Sequence, residues 1–155
     1  MKFNEFIVKE AIQPQLKSQD RDGVLRELVE ALAEAGAVPK PMVEELVAAV
    51  IKREKEGSTG FGKGVAVPHA KHPKVKTMVG TLGRSVVGID FAALDKQPVH
   101  TVFLLLSPLA QPQQHVAAMN VIFSNLQQDN FRRFMRQSPG VADMVDLMNE
   151  ADEAK

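Results

Sequence analysis

The run VHTVFLLL, residues 99 to 106, constrains the fold more than any other stretch of the sequence. It is mostly apolar over the length of one strand, which indicates a β-strand buried on both faces. Two shorter β-branched stretches, GVAVP and TMVGTLGRSVV, come before it and predict further strands. A sheet that is covered on both sides needs other elements of the chain to form the covering layers.

Helical patterns before and after the strands supply those layers. Apolar residues recur at helical spacing over residues 20 to 37 and again over 41 to 57, and a glycine ends each pattern. Two or three more helices are predicted after the strands, with starts near Pro112, Asp129 and Ser138. The predicted inward face of the first of these carries Val116, Met119, Phe123 and Leu126. The order of elements therefore predicts a layered α/β fold with helices on both faces of a sheet.

Length and composition narrow the class of protein. We expect residues 1–155 to form one domain, with the tail from about residue 151 frayed. Nineteen Lys and Arg balance nineteen Asp and Glu, so no overall basic excess attracts nucleic acid or an anionic membrane. The sequence has no apolar run of about 18 residues, no signal-peptide pattern and no cysteine. We therefore expect a cytoplasmic protein with no nucleic-acid partner and no membrane insertion.

The stretch GSTGFGKG, residues 57 to 64, is a glycine-rich loop. Its glycines permit positive φ angles, and free backbone N–H groups in such a loop can surround an anion such as a phosphoryl group. The loop lacks the Lys-Ser/Thr ending of a nucleotide phosphate-binding loop and the helix of a dinucleotide fingerprint. The alternative is a tight turn that leads into a strand.

His69 follows this loop and a proline that stiffens the backbone. Neutral imidazole is nucleophilic near neutral pH and can accept a phosphoryl group on nitrogen. A structural or surface role is the alternative. His69 and His72 form an HxxH pair, but there is no cysteine and no HExxH-type helix, so a metal enzyme that uses the four histidines is the weakest hypothesis. We expect neither a metal nor a cofactor.

Arg53 and His115 are the other candidate site residues. Arg53 lies at the end of the second predicted helix. There it could clamp phosphate oxygens, or it could simply interact favourably with the negative end of the helix dipole. His115 lies in the first turn of the helix that follows Pro112, a position that favours neutral imidazole and attracts anions. The alternative for His115 is a partly buried histidine on a helix face.

Three stretches together resemble a known family: REKEGSTGFGKGVAVPHAK (residues 53 to 71), FAALDKQPVHTVFLLLSP and QQHVAAM. They are similar to the enzyme IIA domains of the fructose/mannitol family of the phosphotransferase system (PTS), and most similar to the nitrogen-regulatory branch, enzyme IIA-Ntr. The resemblance spans nearly the whole chain. It implies a mixed β-sheet flanked by helices on both faces.

The resemblance also implies roles for individual residues. His69 would accept a phosphoryl group from a phosphohistidine carrier of the HPr or NPr type, giving a phosphohistidine intermediate. Arg53 would clamp the phosphate, and His115 would help to bind and orient it. The phosphoryl site would also be lined by the loop residues Ser58, Thr59, Gly60, Gly62 and Gly64.

Two functions fit the resemblance. A regulatory IIA binds partner proteins according to its phosphorylation state, whereas a transport IIA passes the phosphoryl group to a IIB domain for sugar uptake. The stretches GSTG and FAALDKQPV favour the regulatory function. A phosphorylation-independent binding module is a third hypothesis. His100 departs from the branch, because an acidic residue usually stands at this position.

Overall fold

The structure of the protein is a computed structural model, which describes residues 1 to 154. Five strands form a single mixed sheet. They are β1 (Gly60–Gly62), β2 (Val65–Ala66), β3 (His69–His72), β4 (Val79–Ile89) and β5 (Val99–Pro108). Five α-helices accompany them: α1 (Arg21–Glu34), α2 (Val43–Glu56), α3 (Pro112–Leu126), α4 (Asp129–Gln137) and α5 (Val141–Glu153).

Strand β5 is the centre of the sheet. On one side it pairs in parallel with β2 and then with β3, which follow each other along the same edge, and β1 lies outside β2. The Leu105 N–H donates to the Pro68 carbonyl over 3.0 Å, so pairing continues between the two short strands. On the other side β5 pairs antiparallel with β4. The parallel edge places the start of β3 halfway along the central strand, with His69 opposite Leu105.

Helices cover both faces of this sheet, as the sequence predicts. Val102, Leu104 and Leu106 of β5 pack into the core formed with α1 and α2. Phe103 and Leu105 point to the other face, into the core formed with α3, α4 and α5. Every residue of β5 is buried, which confirms the interpretation of VHTVFLLL. Each large apolar side chain that is fully buried contributes about 1.5–3 kcal/mol to the free energy of folding.

The two N-terminal helices have the boundaries that the sequence indicates. The Asp20 carboxylate accepts the Gly23 N–H at 2.6 Å and so caps α1, and Gly36, at φ 79°, follows its end in the left-handed region. Pro41 lies in a 3-10 turn, Lys40–Met42, that leads into α2. Gly57 is the first residue after α2, so the last turn of that helix ends next to the glycine loop.

Two expectations about the C-terminal half are wrong. Val116 of α3 is 54% exposed, because the helix turns His115 and Ala118 toward the interior instead. The tail is not frayed from residue 151, because α5 continues to Glu153. The buried Asp152 carboxylate accepts the N–H groups of Phe3 (2.7 Å) and Asn4 (3.1 Å), which ties the end of the helix to the N-terminus. Lys155 lies outside the described residues.

Candidate functional site

A cavity of about 460 Å³ lies where the last turn of α2, the first residues of β3 and the first turn of α3 meet. Arg53, His69 and His115 all line it, and its other charged lining residues are Lys52, Lys71 and Glu56. The structure therefore brings together the three residues that the sequence analysis singled out from three separate segments.

The hydrogen bond of the His69 ring determines which of its nitrogens is free. His69 Nδ1 lies 2.8 Å from the Val67 carbonyl oxygen. A carbonyl only accepts, so Nδ1 carries the hydrogen and Nε2 keeps its lone pair. Burial lowers the pKa of His69, the Val67 hydrogen bond offsets part of this effect, and the positive charges of Arg53 and Lys71 lower the pKa further. The ring is therefore neutral, and hence nucleophilic at Nε2, at pH 7.

His115 faces His69 across the cavity. The two ring centroids are 5.4 Å apart and the ring planes are inclined at 55°. His115 is buried, and burial, followed by the neighbouring His69 and Lys71, lowers its pKa to about 4. This ring is also neutral at pH 7.

A hydroxyl group sets the tautomer of His115. Ser107 Oγ, at the end of β5, lies 2.7 Å from His115 Nδ1 and is completely buried. A buried hydroxyl hydrogen needs an acceptor, and within residues 1 to 154 Nδ1 is the acceptor that this hydroxyl has. Ser107 therefore donates to Nδ1, and the hydrogen of His115 is on Nε2. That N–H is available as a donor to an anion.

Arg53 is held at the helix end and keeps most of its donors. Its Nη1 donates to the Gly57 carbonyl at 2.8 Å, a contact of the kind that the helix dipole favours. A guanidinium has five N–H groups, so four are left without a partner in the part of the chain that the structure describes. The dipole interpretation and the clamp interpretation are therefore compatible, because one contact anchors the side chain and the others can reach an anion.

The glycine loop lies outside this cavity. The backbone of Gly60 to Gly62 pairs with Val65 and Ala66 as a hairpin, with Gly62 at φ 109° and Gly64 at φ 79°. None of the five predicted loop residues lines the cavity. The structure therefore does not bring Ser58, Thr59, Gly60, Gly62 and Gly64 into this cavity, and the loop has the geometry of the tight turn in the alternative hypothesis.

Internal hydrogen bonds occupy the polar groups of this loop. The buried Glu54 carboxylate accepts the Thr59 N–H at 2.8 Å and the Thr59 hydroxyl at 2.6 Å. Ser58 Oγ donates to the Phe91 carbonyl at 2.7 Å and accepts the Gly60 N–H at 3.0 Å. These amides are therefore not free to form an anion nest. The loop instead fixes the end of α2 against the start of β2, behind the cavity.

The HxxH pair does not converge on a metal. His72 Nε2 lies 3.1 Å from a Glu45 carboxylate oxygen, and His72 Nδ1 accepts the Lys74 N–H at 3.1 Å. Over residues 1 to 154, no group of three or more His, Cys, Asp or Glu side chains is arranged to hold a metal ion. The same residues include no helix long and apolar enough to cross a membrane.

Ser107 and Glu54 are the functional residues that sequence reasoning missed. A serine after an apolar strand and a glutamate in a helix rich in charges carry no distinctive pattern. The only available signal was position, because Glu54 adjoins Arg53 and Ser107 ends the buried strand that runs beside His69.

Comparison with known proteins identifies the family. A family model described as "Phosphoenolpyruvate-dependent sugar phosphotransferase system, EIIA 2" matches residues 5–151. A nitrogen regulatory protein of Bradyrhizobium diazoefficiens is 36% identical over 138 residues, which are 89% of this chain and 88% of that protein. The fructose-specific EIIABC component of Bacillus subtilis is 29% identical over 153 residues, 99% of this chain. This chain spans 24% of the length of that larger protein.

Solved structures agree on the fold. The nitrogen regulatory protein IIA-Ntr of Neisseria meningitidis superposes with a TM-score of 0.84 at 24% identity, covering 94% of this chain and 98% of that one. The mannitol IIA of Escherichia coli gives a TM-score of 0.75 at 19% identity, covering 91% and 97%. The resemblance drawn from the sequence and the predicted mixed α/β fold are both confirmed. The chain belongs to the EIIA 2 family of the phosphoenolpyruvate-dependent sugar phosphotransferase system.

Proposed function

We propose that this protein accepts a phosphoryl group on Nε2 of His69 from a phosphohistidine carrier of the HPr or NPr type, and that its phosphorylation state regulates partner proteins. The observation that carries the proposal is the hydrogen bond from His69 Nδ1 to the Val67 carbonyl, which leaves the Nε2 lone pair free. Both His69 and His115 are neutral at pH 7 in the same cavity, next to the free donors of Arg53.

The transfer is a simple displacement at phosphorus. The Nε2 lone pair of His69 forms the new N–P bond while the N–P bond of the carrier breaks and returns its electron pair to the carrier imidazole. The His69 ring then bears a positive charge, because Nδ1 keeps its hydrogen. The Val67 carbonyl, at 2.8 Å from Nδ1, stabilises that charge.

Arg53 and His115 act on the phosphoryl oxygens. The charge on these oxygens must be met by donors that are already in position, since reorganising them during transfer would cost free energy. Arg53 offers the uncommitted N–H groups of its guanidinium, and His115 offers the Nε2 hydrogen that Ser107 assigns to it. Transfer therefore needs positioning and charge stabilisation, with no further covalent catalyst.

Phosphorylation would change the surface around the cavity. A phosphoryl group adds about 1.5 to 2 negative charges at pH 7 to a cavity whose charged lining residues are Lys52, Arg53, Lys71 and Glu56. A partner protein that docks over this cavity therefore meets a different charge in the two states. Relatives named nitrogen regulatory protein support a regulatory role, and we propose that the protein acts in the cytoplasm.

A second candidate is transfer of the phosphoryl group to a IIB domain. It is supported by the similarity to a fructose-specific EIIABC component and by the fold likeness to the mannitol IIA in a complex with phosphorylated IIB, at a TM-score of 0.73 and 18% identity. The two candidates share the chemistry at His69 and differ in whether the phosphoryl group then leaves this residue for another protein. Incubating the phosphorylated protein with purified fructose-type and mannitol-type IIB domains separates them, because loss of the adduct from His69 to IIB supports transport.

The direct test of the shared step is intact-mass analysis after incubation with phosphoenolpyruvate, enzyme I and an HPr-type carrier. We expect one acid-labile phosphoryl adduct on the wild type and none on His69→Ala. An adduct on His69→Ala, or no adduct on the wild type with any of several carriers, contradicts the proposal. In the second case a phosphorylation-independent binding module becomes the better account.

A further inference from the structure

A second cavity, of about 430 Å³, lies away from His69, and most of its lining residues are cationic or neutral polar. We call it the arginine cavity. Its charged or titratable lining residues are Lys63, Arg84, His100, Arg132, Arg133 and Arg136. One lining residue, Val65, pairs with Thr101 of β5, whereas His69 pairs with Leu105, four residues further along the same strand. Four residues of extended strand span roughly 13 Å. No lining residue is shared with the cavity around His69.

The positive charge in the arginine cavity is concentrated and largely uncompensated. The chain as a whole has zero formal net charge, yet this cavity gathers four arginines and a lysine and has no Asp or Glu in its lining. Arg132 is paired with Asp129. Among the described residues, Arg84, Arg133, Arg136 and Lys63 form no ion pair. Cations at such close quarters repel one another unless an anion lies among them.

Neutral groups hold the Arg84 guanidinium in place, and its charge is not neutralised. Its Nε donates to the Pro14 carbonyl at 3.0 Å, and its Nη1 donates to the Arg136 carbonyl at 2.9 Å. Two of its five N–H groups are thus used and three have no partner in the described part of the chain. A half-buried guanidinium that neutral carbonyls hold in place is a preorganised anion donor, because it keeps its charge and has already lost its side-chain freedom.

Helix α4 supplies the other three arginines. Phe131 and Met135 anchor this helix in the core, which leaves Arg132, Arg133 and Arg136 at the cavity. Arg133 lies over the Phe134 ring at 5.1 Å and donates to the Asn130 side chain at 2.9 Å, so it too is held by neutral groups. A favourable dipole interaction at a helix C-terminus accounts for one cation in the last turn, but not for three on one helix beside Arg84.

We infer that the arginine cavity binds a small molecule that carries a diphosphate or triphosphate group. Guanidinium forks match phosphate oxygens in pairs, and several converging forks require a ligand with several negative charges. The volume lies in the range of small-molecule sites, about 300 to 1,000 Å³. Val65 and Val86 offer an apolar wall to the uncharged part of such a ligand, and Ser85, Thr101 and Gln137 offer neutral polar groups.

Single-stranded nucleic acid fits this cavity less well. Such ligands bind along extended grooves where aromatic rings stack on successive bases. No Phe lines the arginine cavity, and its only ring is that of His100, which is buried and bonded through Nδ1 to the Ser85 carbonyl at 2.9 Å. The inference is also independent of phosphoryl transfer at His69.

Isothermal titration calorimetry of the full chain tests the inference, with magnesium-free ATP, inorganic pyrophosphate and inorganic phosphate as probes at fixed ionic strength. We expect ATP and pyrophosphate to bind, with phosphate at least about tenfold weaker. The double variant Arg133→Gln, Arg136→Gln should weaken pyrophosphate binding by at least about tenfold. The matched double variant Arg21→Gln, Lys40→Gln removes the same charge from the helical layer on the opposite face, and should bind as the wild type does.

Other results overturn the inference. One is that none of the three probes binds. Another is that the matched control weakens pyrophosphate binding as much as the cavity variant does. A third is that Arg53→Gln loses binding instead, which would assign the anion to the site around His69. Tighter binding of a short oligouridylate than of ATP would assign the cavity to RNA. If the cavity variant fails to fold, amide shifts of the wild type on pyrophosphate addition decide: Gly64 and Thr101 should move and Ala70 should not.

Discussion

His69 and His115 face each other with ring centroids 5.4 Å apart, and each ring uses Nδ1 for a hydrogen bond to a group behind it. Val67 accepts from one ring, and Ser107 donates to the other. The two rings therefore have complementary hydrogen positions: His69 Nε2 bears a lone pair and His115 Nε2 bears a hydrogen. One nitrogen can attack phosphorus while the other binds a phosphoryl oxygen.

The first prediction concerns the pH dependence of the two histidines. Both pKa values are lowered from about 6.5 by burial, that of His115 to about 4. Because the folded protein disfavours the protonated rings, its free energy of unfolding should fall as pH drops below 6.5, where the unfolded chain takes up protons. Phosphoryl acceptance should persist at pH 6.5 and decline only below it.

Long-range proton–nitrogen NMR spectra across a pH titration check this prediction. They should report a neutral Nδ1–H tautomer for His69, a neutral Nε2–H tautomer for His115, and a titration midpoint for His115 near 4. The exposed ring of a histidine in the acid-unfolded protein serves as the reference. A His115 midpoint at or above 6.5, or the opposite tautomer at His69, contradicts the proposed geometry.

Replacing Arg53 with alanine should slow phosphoryl acceptance while the fold is kept. Among residues 1 to 154, its side chain forms one hydrogen bond, to the Gly57 carbonyl, so the loss in stability should be small, about 1 kcal/mol. Loss of charge-assisted hydrogen bonds to the phosphoryl group should lower the transfer rate by about 10- to 100-fold. Rates can be read from quenched time points by mass spectrometry. Arg21→Ala on α1 is the matched control, and unchanged transfer in Arg53→Ala would remove Arg53 from the site.

Replacing Ser107 with alanine should disturb His115 rather than His69. The change leaves the buried Nδ1 without its donor, which should cost about 1–3 kcal/mol of unfolding free energy and allow the other tautomer of His115. The transfer rate should fall, and the tautomer shift should be visible by NMR. Ser124→Ala, whose hydroxyl bonds only to the Val121 carbonyl of its own helix, should change neither quantity. A wild-type tautomer in Ser107→Ala would contradict the role given to this serine.

Glu54 should be important for stability more than for chemistry. Its buried carboxylate satisfies both the N–H and the hydroxyl of Thr59, so Glu54→Ala leaves two buried donors without an acceptor and should destabilise the fold by about 2–4 kcal/mol. Glu54→Gln keeps an acceptor oxygen and should lose less. Urea unfolding measures both, and Glu30→Ala, an exposed carboxylate of α1, is the control. Equal stability of Glu54→Ala and Glu30→Ala would show that the loop does not depend on this contact.

The layers of the fold could be predicted from the sequence because a continuous strand run and regular helical repeats define them. The mostly apolar run in β5 indicated burial on both faces, and the structure has Val102 and Phe103 in opposite cores. The orientation of α3 was harder to predict. Both Val116 and Ala118 fit a helical stripe, and the choice between them depends on the docking of His115 against Ser107, which is a tertiary contact.

The arginine and the two histidines of the candidate site could be predicted from the sequence, but the residues that hold them in place could not. Arg53, His69 and His115 have chemistry that a sequence displays. The hydrogen bonds of the glycine loop could not be predicted because free amides and hydrogen-bonded amides have the same sequence, and only the fold brings Glu54 to Thr59. The arginine cavity could not be predicted for a similar reason. Arg84 and Arg136 are far apart in the chain, and only the fold brings the Arg84 guanidinium to the Arg136 carbonyl.

The measurement that tests the central claim most directly is the mass of the intact protein after reaction with phosphoenolpyruvate, enzyme I and an HPr-type carrier, followed by phosphorus–nitrogen NMR of the product. The account predicts one phosphoryl group, on Nε2 of His69, and none on His69→Ala. A phosphoryl group on Nδ1 of His69, or on His115 or His72, would contradict the account, because the hydrogen bond to Val67 would then not define the nucleophile.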